Sequence, residues 1–101
     1  MPEFVRVMRV EELPLGEVRM AEADRTKVAL CNYDGTIHAL SNFCPHLTGN
    51  LGEGTLEEDL LVCPEHGWRF KVTTGRCVTI RGQSAHTFPV EIRDGWIFVG
   101  V

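Results

Sequence analysis

Four side chains able to hold a metal fall in two short pairs. Cys44-Pro45-His46 is the first and Cys63-Pro64-Glu65-His66 the second, with sixteen residues between the pairs. Two thiolates and two neutral imidazoles can bind zinc or an iron–sulfur cluster. The spacing bears on that choice. Structural zinc sites usually leave about two to four residues inside the first pair and about three to five inside the second. Here a single residue separates Cys44 from His46, and two separate Cys63 from His66. Each half offers one sulfur and one nitrogen, and the halves are nearly alike. That symmetry suits a binuclear centre.

Ligands of this kind need loops that hold them still. A proline follows each cysteine, and proline fixes φ and lacks an N–H. Gly49, Gly52 and Gly54 follow the first pair and Gly67 follows the second, so tight turns and close backbone approach are available there. The flanking sequence reads as strands. Phe4 to Val10 interleaves valine with charge, the period-two signal of a half-buried strand. Lys27–Cys31 and Thr36–Leu40 flank Asp34-Gly35, and Val90–Arg93 and Trp96–Val99 flank Asp94-Gly95. An Asp-Gly pair between apolar runs predicts a hairpin. A third turn is expected at Thr74-Gly75, between Phe70–Val72 and a strand over Cys77–Ile80. Glu11 to Arg25 could hold a short helix at best, and Pro14 and Gly16 argue against it. The expected fold is a small all-β domain, an antiparallel sandwich or barrel, into which the two ligand loops are inserted.

Size and charge narrow the function. The chain has 101 residues, 44% of them hydrophobic and 24% charged, with a formal net charge of −4. That length makes one domain with a real core. No Lys or Arg lies between Lys27 and Arg69, while Asp34, Glu53, Glu57, Glu58, Asp59 and Glu65 fall in that stretch. An acidic chain without a basic stripe is a poor nucleic-acid binder. A partner with a positive docking patch fits better; alternatively, Glu57-Glu58-Asp59 is only a solvated turn. No apolar run approaches the ~18 residues of a membrane span. The N-terminal MPEFVRVMRVEELP lacks the apolar core of a secretory leader. A cytoplasmic chain with reduced thiols is therefore expected, rather than two disulfides. Cys31 and Cys77 lie in expected strands and read as buried thiols. His38 and His86 lack ligand spacing and read as ordinary residues. No G-x-G-x-x-G motif is present for a nicotinamide cofactor.

The ligand pattern, with His66-Gly67-Trp68 closing it, resembles that of the Rieske [2Fe–2S] proteins, and most closely the small Rieske-type ferredoxins of bacterial oxygenase systems. Val28 to Leu40 is similar to the hairpin that leads into the first cluster loop. Leu51-Gly52-Glu53-Gly54 resembles that loop's exit, and Phe88 to Ile92 with the final hairpin resembles the last strands. The resemblance implies one Rieske domain over residues 1–101, with a cluster-binding subdomain at about 43–72 and a base β-domain from the remainder. It implies one [2Fe–2S] cluster held by Cys44, His46, Cys63 and His66, the cysteines on the iron that stays ferric and the histidines on the iron that is reduced. Phe43 and Trp68 are expected to pack over its flanks, and residues 79–87, which lack a proline common in relatives, to form a third covering loop.

The role this resemblance implies is that of a monomeric one-electron carrier with no catalytic residue of its own, taking electrons from an NAD(P)H-dependent flavin reductase and giving them to a terminal oxygenase. Two alternatives are the small Rieske-type subunit of an assimilatory nitrite reductase and a zinc-stabilised binding module. High-potential relatives place a serine hydroxyl two residues after the second histidine and a tyrosine hydroxyl two residues later. Trp68 and Phe70 occupy those places here. Gly49 and Glu65 stand where the same relatives bridge their two loops by a disulfide. A potential near the bottom of the Rieske range, about −150 to +300 mV, is expected.

Overall fold

The computed structural model describes residues 3–44, 49–65 and 67–101. His46 and His66 lie outside them. Ten strands alternate with turns: β1 (Phe4–Arg9), β2 (Val18–Ala23), β3 (Thr26–Tyr33), β4 (Thr36–Ser41), β5 (Thr55–Glu57), β6 (Leu60–Val62), β7 (Arg69–Lys71), β8 (Thr87–Phe88), β9 (Val90–Arg93) and β10 (Trp96–Gly100). Among the described residues, two single-turn 3₁₀ segments, Val10–Glu12 and Leu51–Glu53, accompany the strands. The strands form three antiparallel sheets, ordered β1-β10-β9, β2-β3-β4-β8 and β5-β6-β7. The all-β expectation is met.

Both Asp-Gly hairpins form. Asp34 and Gly35 have φ of 52° and 86°, and Asp94 and Gly95 of 50° and 80°. Two successive left-handed residues match the twist of antiparallel strands. The registers Tyr33↔Thr36 and Arg93↔Trp96 close these two-residue loops.

Two elements depart from expectation. Residues 18–23 form β2, not a helical turn, paired to β3 from Val18↔Cys31 to Ala23↔Thr26. Its inward residues are Ala21 and Ala23, too small to give a strong alternating signal. Its turn is made by Asp24 and Arg25 at φ 48° and 74°, without a glycine to announce it. The expected strand over Cys77–Ile80 is reduced to a single bridge, Phe70↔Cys77. The chain from Gly75 to Cys77 turns instead toward the following loop: Ala85 N–H donates to Gly75 O (2.7 Å) and Cys77 N–H to Gln83 O (2.9 Å).

β3 is buried on both faces, which explains its unbroken apolar run Val28-Ala29-Leu30-Cys31. Val28 and Leu30 join a core with Leu13, Ala21, Ala23, Ile37, Ala39, Ile97 and Val99, against β1 and β10. Ala29 and Cys31 join the opposite core, with Leu40, Cys44, Leu51, Leu61, Cys63, Phe70, Val72, Cys77 and Ala85. The second core contains both expected cysteine ligands. Its largest fully buried member is Phe70, whose truncation to Ala would cost about 3–5 kcal/mol.

Candidate metal centre

Cys44 lies three residues beyond β4, and Cys63 directly follows β6. Each is fixed through its backbone. Cys44 N–H donates to Gly49 O (3.0 Å), Cys63 N–H to Trp68 O (2.8 Å), and Gly67 N–H back to Cys63 O (3.0 Å). The last bond closes a tight turn that Gly67 makes at φ 72°, a conformation glycine adopts without steric cost.

Atoms of both cysteines lie against Gly49. A Cβ at that glycine would stand 2.3 Å from Cys63 Sγ and 3.1 Å from Cys44 Cβ. The sum of those distances, about 5.4 Å, is the most that can separate the two cysteine atoms. Both cysteines are buried, at 4% and 1% exposure. Gly49 leaves no space for a methyl group beside the Cys63 sulfur, and its bare Cα lets the two cysteine loops approach closely. Two cysteines brought this near, each a soft sulfur donor, fit a sulfur-ligated metal group.

The first loop is anchored by Asn42, a buried polar side chain that no sequence motif marks. Gly52 N–H donates to its Oδ1 (2.9 Å), its Nδ2 donates to Asn50 Oδ1 (3.3 Å), and Leu51 N–H donates to its backbone carbonyl (2.7 Å). An asparagine just before a glycine-rich loop reads as an ordinary turn residue, so only the fold reveals its role. Trp68 packs against the cysteine-bearing core, its ring 6.5 Å from that of Phe70. Phe43 does not: it is 57% exposed. Asn42 and Cys44 both point inward, so the strand-like alternation turns Phe43 outward.

The other two thiols share the core of Cys44 and Cys63. Cys31 and Cys77 are buried thiols outside any disulfide. Burial pushes the Cys31 thiol up to about 12, offset in part by a backbone hydrogen bond from His38. Burial lowers the His38 pKa from its ordinary value. His86 meets Phe88 edge-on at 4.6 Å.

In the acidic stretch, Glu58 occupies the β5–β6 turn at φ 54°. Its neighbours are partly compensated by β7: Arg69 pairs with Glu57 at 3.2 Å and Lys71 with Asp59 at 3.9 Å. These exposed pairs stabilise by at most about 1 kcal/mol each, but they cancel charge locally.

An all-β scaffold that holds two buried cysteines close together in hydrogen-bonded loops suits a small metal-binding domain. The family model of the Rieske [2Fe-2S] domain matches residues 3–91, and the chain belongs to that family. Similar proteins include the ferredoxin component of the naphthalene 1,2-dioxygenase system of Pseudomonas aeruginosa, 33% identical over 99 residues, covering 96% of this chain and 94% of that protein. The ferredoxin component of the alkene monooxygenase system of Xanthobacter autotrophicus is 32% identical over 99 residues, covering 97% of this chain and 81% of that protein. Among solved structures, a chain in the complex of reduced oxygenase and oxidized ferredoxin in carbazole 1,9a-dioxygenase superposes with a TM-score of 0.86. It is 26% identical, and the match covers 95% of this chain and 100% of that one. The chain carries a Rieske-type [2Fe–2S] cluster and works as a one-electron carrier, not as an enzyme in its own right.

Proposed function

We propose that this chain passes single electrons from an NAD(P)H-dependent flavin reductase to a terminal oxygenase, as a cytoplasmic monomer, with Cys44, His46, Cys63 and His66 as the cluster ligands. The observation that supports the cysteine half of this assignment is the approach of two buried cysteines at Gly49, where a Cβ would lie 2.3 Å from Cys63 Sγ and 3.1 Å from Cys44 Cβ. The ferredoxin relatives, each covered over more than two thirds of its length, support the oxygenase system as the destination. Residues 43–72 act as the cluster-binding subdomain, since β5, β6 and β7 form a sheet of their own beside the two cysteine loops. When bound, the cluster supplies a change of one electron: two ferric ions, two sulfides, two thiolates and neutral imidazoles sum to zero charge, and reduction makes the sum −1.

The protein's own residues set the terms of that change. The buried core around Cys44 and Cys63 excludes water from the sulfur side. Trp68 and Phe70 bring no hydroxyl to donate to a sulfur, so a stabiliser of the more negative reduced state is missing. The potential is therefore low, within reach of a flavin enzyme drawing on NAD(P)H. Among the described residues no helix is long and apolar enough to cross a membrane.

The test is reconstitution. The purified chain is mixed with NADH and the reductase and oxygenase of a naphthalene dioxygenase system, and substrate turnover is followed. Turnover that depends on this chain, with gel filtration at monomer size, is the expected result. Reduction without any oxygenase turnover, or a chain found only in a stable larger assembly, would overturn the carrier role proposed here and favour that of a bound subunit.

A further inference from the structure

The cation-bearing side of the molecule lies beside the cysteine core. Lys71, Arg76, Cys77, Val78, Thr79 and Arg81 line a cleft of about 420 Å³. Cys77 points inward and shares the core with Cys44 and Cys63. Its neighbours point outward: Val78 is 54% exposed and Ile80 38%. Arg76 and Arg81 are exposed and make no ion pair among the described residues. Lys71 is paired with Asp59 at 3.9 Å. The face therefore combines two uncompensated guanidinium groups with two exposed aliphatic side chains, on a protein whose net charge is −4.

The same face is close to Cys63 in bonded terms. Cys63 N–H donates to Trp68 O at 2.8 Å. The N–H of that same peptide group, on Arg69, donates to Thr79 Oγ1 at 2.9 Å. One peptide unit and two hydrogen bonds thus join Cys63 to a side chain between Val78 and Ile80. The face is thereby tied to the loop that carries Cys63.

We propose that the face formed by Arg76, Val78, Thr79, Ile80 and Arg81 docks an electron-transfer partner through carboxylates that flank an apolar side chain. This rests on the carrier reading above. It places the steering charge on the arginines instead of on Glu57-Glu58-Asp59, where Arg69 and Lys71 already cancel two of the three charges. Complementary charge of this kind sets association rate and register more than affinity.

Small redox probes test the face without an identified partner. The reduced protein gives one electron to ferricyanide, a trivalent anion that becomes ferrocyanide. In a parallel experiment it gives one electron to hexaamminecobalt(III), a trivalent cation. Both rates are measured at low ionic strength for the wild type, for R76E/R81E, and for R19E/R93E. The last variant changes the net charge equally, on β2 and β9, which do not line the cleft. R76E/R81E should slow ferricyanide about tenfold and speed the cobalt complex, a difference that salt should erase. R19E/R93E should change either rate by less than about threefold. Hexaglutamate should compete with ferricyanide on the wild type but not on R76E/R81E. Equal effects of the two double variants, or no competition by hexaglutamate, would overturn the proposal. An intact [2Fe–2S] spectrum with equal rates defeats the docking face alone; absence of that spectrum defeats the carrier reading beneath it.

Discussion

Replacing Gly49 by Ala should remove the cluster while leaving a folded chain. The added Cβ would meet Cys63 Sγ at 2.3 Å, whereas ordinary contact begins at 3.4 Å, so about 1.1 Å of retreat is needed. Metal–ligand distances hold to about 0.2 Å, so a sulfur displaced that far no longer ligates. Neither side can yield easily. Cys63 is 1% exposed within a packed core, and Gly49 is held by the hydrogen bond from Cys44 N–H to its carbonyl at 3.0 Å. Overpacking of this kind costs about 1–3 kcal/mol. In a domain of this size each kcal/mol moves Tm by about 4–8 °C, and loss of the bound group lowers it further. Iron and acid-labile sulfide per chain are the assay, with visible absorption and thermal unfolding beside them. Gly75→Ala is the matched control. Its Cβ would crowd Ala85 O at 2.0 Å and Thr87 Cγ2 at 3.0 Å, but no cysteine. It should lower Tm and keep the iron and sulfide content. A Gly49→Ala protein with wild-type iron and sulfide would refute the reasoning.

Two further outcomes are expected. Phe70 is fully buried in the core that holds both cysteines, and Phe70→Tyr should raise the midpoint potential by bringing a hydroxyl to a cysteine sulfur. Potentiometric titration followed by EPR checks this, and an unchanged midpoint refutes it; a wild-type midpoint above about +100 mV would contradict the low-potential expectation itself. The folded chain holds the Cys31 proton up to about 12 against an ordinary 9.0, so its stabilising contribution is full below pH 9.0 and is lost as pH rises toward 12. Denaturation midpoints should fall over that range, and Cys31→Ala should flatten the fall; parallel curves above pH 9.0 would show that another group controls it.

Much of the fold and site is legible in the sequence because the signals are local. Asp34-Gly35 and Asp94-Gly95 announce their hairpins through the left-handed turns they make. The four ligand candidates announce the family through spacing alone, and the family match over residues 3–91 bears that out. β2 is hidden because alanines fill its inward positions and a non-glycine pair makes its turn. The shortening of the expected strand at Cys77–Ile80 depends on hydrogen bonds from Cys77 to Gln83 and from Ala85 to Gly75, which no propensity encodes. Gly49 stands in a visibly glycine-rich loop, but its role against Cys63 Sγ emerges only when two loops distant in sequence meet. The arginine-bearing face is invisible for the same reason: which charges cancel is decided by β7 lying beside β6.

Nitrogen coordination by both histidines is the core of the ligand assignment, and pulsed EPR of the dithionite-reduced protein with ¹⁵N-labelled histidine reads it directly. The assignment predicts two irons and two sulfides per chain, an average g below that of an all-cysteine cluster, and two strongly coupled histidine nitrogens, with His46→Ala and His66→Ala each losing or degrading the signal. A zinc-loaded, colourless protein, or a cluster signal without histidine coupling, would contradict it.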